Sequence, residues 1–123
     1  MTSDTHTIKV LKFCGTPHCM AAEEAEKLHQ EITRLLSADL EVLLDFNGVE
    51  TLTSFFLNVA IGRLFGKHDS KFLDARLQWI GVDEADKRVI ELVIQNAKEH
   101  FKKEPSERVK QDKIIKNLAE GNS

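Results

Sequence analysis

Apolar residues along this chain recur in two rhythms, alternate positions and three- or four-residue steps, and stretches of the two kinds take turns. Ile8-Lys9-Val10-Leu11-Lys12-Phe13 alternates in part and predicts a first strand, closed by a loop at Gly15 and Pro17. From Met20 to Leu36, the residues Met20, Ala21, Ala25, Leu28, Ile32 and Leu35 keep helical spacing. The outer face of that helix carries Glu23, Glu24, Glu26, Lys27, Glu31 and Arg34, with acids leading as the helix dipole prefers. Ser37-Ala38-Asp39 then turns into a strand over Glu41 to Asp45. The next helix, Thr53 to Phe65, is apolar on nearly every face, so it must be buried on more than one side or offer a face to a partner. Gly66 is its stop signal, and a polar link runs from Lys67 to Lys71. Leu77 to Val82 predicts a third strand, and Asp83 caps a helix striped by Val89, Ile90, Val93, Ala97 and Phe101. Pro105 to Ala119 is charged, with Val109, Ile114, Ile115 and Leu118 as a sparse stripe, and reads as a C-terminal helix.

Strands alternating with helices imply an α/β fold with a mixed or largely parallel sheet, each helix serving as a crossover. At 123 residues and 41% hydrophobic content, the chain suits one domain with one core, expected over 1–104 with 105–123 docked on it. The net charge of −3 arises from 20 acidic and 17 basic residues interspersed along the chain, which gives no field suited to nucleic acid. No stretch approaches the roughly 20 apolar residues of a membrane span. The polar start Met1-Thr2-Ser3-Asp4-Thr5-His6 does not read as a signal peptide, so a cytoplasmic, soluble protein is expected.

The densest chemistry lies between Leu43 and Ala60. An apolar run ends in Asp45-Phe46-Asn47-Gly48, where Asn47 and Gly48 tolerate positive φ and Asp45 anchors a turn. Val49 and Leu52 return to the core before Thr53 or Ser54 caps the following helix. A hydroxyl is thereby placed at a helix start. There it can simply cap, the commoner use of these residues, or it can accept a phosphoryl group that free amide donors tolerate.

The segment from Asp45 to Leu64 resembles the central signature of STAS domains of the anti-sigma-factor-antagonist type. In those, a strand ending in Asp-Leu-Ser-Gly-Val leads through Asp-Ser-Ser-Gly-Leu into a helix. Asp45-Phe46-Asn47-Gly48-Val49 matches the first part, and Thr53-Ser54-Phe55-Phe56-Leu57 stands for the second. Ser54 falls at the phosphoacceptor position, with Thr53 as the alternative hydroxyl. Thr53 replaces the preceding acid, Phe55 a hydroxyl residue and Phe56 the glycine. With these departures the chain is more similar to the STAS-like family of unknown function, small bacterial proteins with the same strand and a Ser/Thr-Phe helix start. The resemblance implies a non-catalytic regulatory module that meets a protein partner, a kinase-like ATPase or another regulator, through Asp45, Asn47, Gly48, Thr53, Ser54 and Phe55. A homodimer is a further option; neither nucleic acid nor membrane is implied.

Other chemistry is thin. Cys14 and Cys19 flank Gly15-Thr16-Pro17-His18, a spacer that is not a Cys-x-x-Cys motif. They read as small buried residues, Cys14 ending the first strand and Cys19 beginning the first helix. His6, His29, His68 and His100 are scattered, so no metal or cofactor is expected. Asp45 with Glu50 could form an acid pair, but no nucleophile, base and orienter occur together, and no catalytic residue is assigned. The alternative function is a toxin-neutralising or accessory inhibitor that uses the apolar helix and the acids Glu23, Glu24, Glu26 and Glu31 against a basic target.

Overall fold

The computed structural model describes residues 4–101, and in it the first alternating stretch is only half a strand. β1 (Thr5–Lys9) stops where α1 (Val10–Cys14) winds into a short helix, correcting the strand expected through Phe13. The partly alternating Val10-Leu11-Lys12-Phe13 is compatible with one helical turn as well as with a strand. Gly15, at φ 75°, closes that turn by donating its N–H to Leu11 O at 2.9 Å. There follow β2 (His18–Cys19), α2 (Ala22–Ser37), β3 (Glu41–Asp45), β4 (Thr51–Leu52) and α3 (Ser54–Ala60). A 3-10 turn (Gly62–Gly66), α4 (Ser70–Arg76), β5 (Leu77–Ile80) and α5 (Glu84–Phe101) complete the described residues. The C-terminal helix expected over 105–119, and with it the division at 104, lies outside them.

Three parallel strands form the main sheet in the order β1-β3-β5, and β2 and β4 form a second parallel pair. The α/β fold with parallel sheets is thus as read from the alternating rhythms. Side chains alternate across β3, and Val42 and Leu44, followed by Phe46, turn inward with Ile8 and Leu77 from the flanking strands. Against them pack the buried stripes of α2 (Ala25, Leu28, Ile32, Leu35), α3 (Phe56, Leu57, Ala60) and α5 (Ile90, Val93, Ala97). Each large apolar side chain removed from water contributes about 1.5–3 kcal/mol. The apolar helix α3 is accommodated between α2 and α5, so its core face is already spoken for. The other face of the sheet is wet: Thr5, Thr7, Lys9, Gln78 and Ile80 are exposed, with Leu43 and Asp45 half-buried at the centre. Parallel sheets are usually covered on both sides, whereas among the described residues no helix covers this side.

Further local outcomes depart from the sequence reading, beginning with the helix expected over Thr53 to Phe65, which is α-helical only to Ala60 and is followed by the 3-10 turn Gly62–Gly66. The link after Gly66 contains α4, whose start is capped by Asp69 accepting Lys71 N–H at 3.1 Å and whose buried contribution is Leu73. At the start of α5, Asp83 accepts Asp86 N–H at 2.8 Å, as its position predicted. His29, one of the scattered histidines, is buried in α2. Lys67 Nζ, 3.1 Å from His29 Nε2, can only donate, so Nδ1 carries the proton and donates to Ala60 O at 3.4 Å. Burial first, and then the charge of Lys67, hold the His29 pKa below its ordinary value.

Candidate functional site

The turn after β3 is a closed hydrogen-bonded unit. Asp45 Oδ1 accepts Asn47 N–H at 2.9 Å and Asn47 Nδ2–H at 2.7 Å, and Val49 N–H donates to Phe46 O at 3.0 Å. Phe46 N–H reaches across to Ile80 O at 2.9 Å, and Gly81, at φ 81°, passes so close that a Cβ there would lie 2.6 Å from Asn47 N. Gly48, at φ 88°, is overlaid by Leu11. Asp45 thus anchors the turn as expected. With Asp45 Oδ1 occupied by Asn47 and Glu50 exposed beyond Val49, the acid pair is not assembled.

From this turn the chain is carried along β2 to α3. Glu50 N–H and Thr51 N–H both donate to Pro17 O, at 2.8 and 3.1 Å, before β4 pairs with β2 in the register His18 to Thr51 and Cys19 to Leu52. Thr53 then holds Cys19 O twice, through its N–H at 3.3 Å and its hydroxyl at 3.4 Å. The same Thr53 hydroxyl accepts Phe56 N–H at 3.1 Å, so Thr53 is the helix cap and its oxygen is committed on both sides. Ser54 is the first helical residue and is exposed, and among the described residues nothing hydrogen-bonds its hydroxyl. Phe55 beside it is 54% exposed, whereas Phe56 is fully buried.

The six residues predicted as one surface therefore fall into two groups. Asp45 and Asn47, with Gly48 beside them, sit at the carboxyl edge of the main sheet, where α/β folds most often receive ligands. Asp45 and Asn47 line a shallow cleft of about 670 Å³ whose other wall holds Lys9, Lys12 and Thr16. Thr53, Ser54 and Phe55 form the second group at the β4–α3 junction. Neither lysine was legible as a site residue, because each reads as an ordinary polar position of the first strand. A second groove of about 640 Å³ runs between β5 and α5, floored by Phe65, Leu77, Trp79 and Ile94, with Lys98 and Asp74 bridged at 3.2 Å on its rim.

The acids of α2 are mostly engaged. Glu31 is bridged to Arg34 at 2.7 Å, Glu26 pairs with Arg63, and Glu23 lies 3.9 Å from Lys27. Cys14 ends α1 rather than a strand, and Cys19 lies in β2 rather than at a helix start. Among the described residues no three His, Cys, Asp or Glu side chains gather as metal ligands, and no helix is long and apolar enough to cross a membrane.

Comparison with known proteins is consistent with this strand-turn-helix unit. No curated protein and no solved structure matches the chain. A family profile described as a STAS-like domain of unknown function matches residues 24–87, from the first turn of α2 through β3, the Asp45 turn, α3 and β5 into α5. That span is just over half of the chain and contains the whole Asp45-to-Leu64 signature, and the chain belongs to the STAS-like domain family of unknown function.

Proposed function

We propose that this protein is a non-catalytic regulatory module that binds a protein partner through Ser54 and Phe55, with Thr53 behind them and Asp45, Asn47 and Gly48 as the adjoining sheet edge. A kinase-like ATPase or a comparable regulator is the partner class, and phosphoryl transfer to Ser54 is the switch. The observation that carries this reading is the division of labour between adjacent hydroxyls. Thr53 supplies the cap, which leaves the exposed Ser54 hydroxyl without a structural task. Exposed Phe55 supplies an apolar anchor of the kind that dominates binding energy in interfaces. A phosphoryl group there would add about −1.5 to −2 charges at pH 7 to a contact built around an aromatic ring, and would disrupt it. The inhibitor alternative loses ground because Glu23, Glu26 and Glu31 already have basic partners within the molecule.

The test is recovery of the tagged full chain from its native cells as wild type, Ser54→Ala and Ser54→Asp, recording bound partners and intact mass. One added phosphate on wild type alone, and one defined partner lost from the Asp variant, is the expected result. An unmodified protein that holds the same partner in all three forms sinks the switch and leaves constitutive binding.

A further inference from the structure

Leu77, Gln78 and Trp79 are consecutive residues of β5, yet all three line the groove between β5 and α5. Successive side chains of a strand point to opposite faces, so a hollow that touches all three runs along the strand's edge. That edge is the outer one, because β3 pairs with the other side of β5 and, among the described residues, no strand pairs with this side. The groove thus sets an apolar floor of Phe65, Leu77, Trp79 and Ile94 beside an open strand edge, a feature that proteins ordinarily cover. The chain itself holds a cover. α5 ends at Phe101, whose ring lies over Gly66, next to Phe65 of the floor, and Lys98, one turn earlier, stands on the rim. Residues 102–123 therefore start at one end of the groove. Along α5 the groove reaches back from Lys98 to Glu91, a rise of about 10 Å, whereas the 22 residues after position 101 of 123 span about 33 Å even at helical rise. Pro105 lacks the N–H that would extend α5, which offers a place to turn back. Composition fits the seat. Ile114, Ile115 and Leu118 gather apolar surface within five residues, with Lys113 and Lys116 among them. Residues 102–123 carry six basic and four acidic side chains, net +2, against 11 basic and 16 acidic, net −5, in residues 1–101. On the rim, Glu91 has no ion pair among the described residues.

We propose that residues 105–119 turn back onto the body of their own molecule and seat Ile114, Ile115 and Leu118 in this groove, covering Trp79 and the outer edge of β5. The apolar side chains exclude water from the floor, and Lys113 or Lys116 meets Glu91 at the rim. The contact is intramolecular, so the effective concentration set by the short link from Phe101 favours it over capture of a second copy. The groove is then closed in the free protein, and only a partner able to displace the segment reaches it. This inference rests on neither Ser54 nor the surface around it.

Trp79 is the only tryptophan of the chain, so its fluorescence reports on the groove directly. The experiment compares the full chain with Ile115→Asp/Leu118→Asp by emission maximum and by acrylamide quenching, over a wide range of protein concentration. The expected result is a red-shifted emission and a larger quenching constant in the variant, with wild-type values that do not depend on concentration. Equal quenching of the two proteins overturns the proposal. Shielding in the wild type that grows with concentration overturns it in favour of a second copy. A variant that fails to fold would also expose Trp79, so the wild type is separately coupled with a carbodiimide, which joins a carboxylate to a lysine only where the two meet. Peptide maps of the monomer should show Glu91 joined to Lys113 or Lys116. Such links found only in dimers, or Glu91 joined to no lysine of residues 105–119, overturn the proposal on the wild type alone.

Discussion

The turn that leaves β3 and the junction that enters α3 belong to one sequence signature, yet they are built on opposite plans. In the first, Asp45, Asn47 and Gly81 satisfy and crowd one another, and the ends of β3 and β5 are tied together. In the second, a single residue, Thr53, caps the helix start, its hydroxyl accepting Phe56 N–H and its carbonyl Leu57 N–H, and the next two residues are presented to solvent. The first region is a brace and the second a display. A short motif can thus hold residues whose replacement unfolds the protein beside residues whose replacement changes only its surface.

The strongest challenge to this contrast is the adjacent phenylalanine pair. Phe56→Ala should cost about 3–5 kcal/mol in urea unfolding because it empties a fully buried site, while Phe55→Ala should stay within about 0.5 kcal/mol. Similar losses for both would mean that the display is part of the core. Next come two glycines with nearly the same backbone angle. Gly15→Ala should cost about 1–2 kcal/mol for its left-handed conformation alone, since nothing lies within 4 Å of the new Cβ. Gly81→Ala should cost a further 1–3 kcal/mol or so for the collision with Asn47, and equal midpoints for the two variants would show that the brace yields.

Smaller still is the difference between the hydroxyls. Thr53→Ala should lose about 1 kcal/mol and Thr53→Ser much less, whereas Ser54→Ala should move the midpoint by no more than about 0.5 kcal/mol. A larger loss at Ser54 would reassign the cap. The gentlest expectation concerns pH and neither region. The folded-state pKa values of His29 and His68 are depressed, in each case by burial first and by Lys67 next. Below the ordinary value of 6.5 the unfolded chain therefore binds more protons, so stability is full above that pH and falls as the pH drops through it. Urea midpoints at pH 7.5 and 5.5 measure the loss, and Lys67→Met should shrink it. A midpoint that rises on acidification contradicts the neutral, Lys67-bound His29.

Where one residue type had only one physical use, the sequence was readable. Val42, Leu44 and Phe46 could bury only as alternating members of a strand, and Ala25, Leu28 and Ile32 only as one side of a helix. His29 sits on that same stripe, one residue after Leu28 and four after Ala25, and this spacing was the signal that it is buried. Where two uses compete, sequence falls short. Val10 to Cys14 suits a strand or one helical turn, and the neighbouring Gly15 decides; α4 contributes little but Leu73 to the core and so has no period to detect. Thr53 and Ser54 can both cap, and only the register of the helix start chooses between them.

The wet face of the main sheet also makes the molecule measurable. Thr7 and Gln78 both stand in register with Leu43, one on each flanking strand, and both are exposed on the side away from the helices. Two strand spacings of about 4.8 Å separate them, roughly 9–10 Å in all. A pair of spectroscopic labels at these positions would span the central strand without touching the core, giving a ruler that reads the strand order directly in solution.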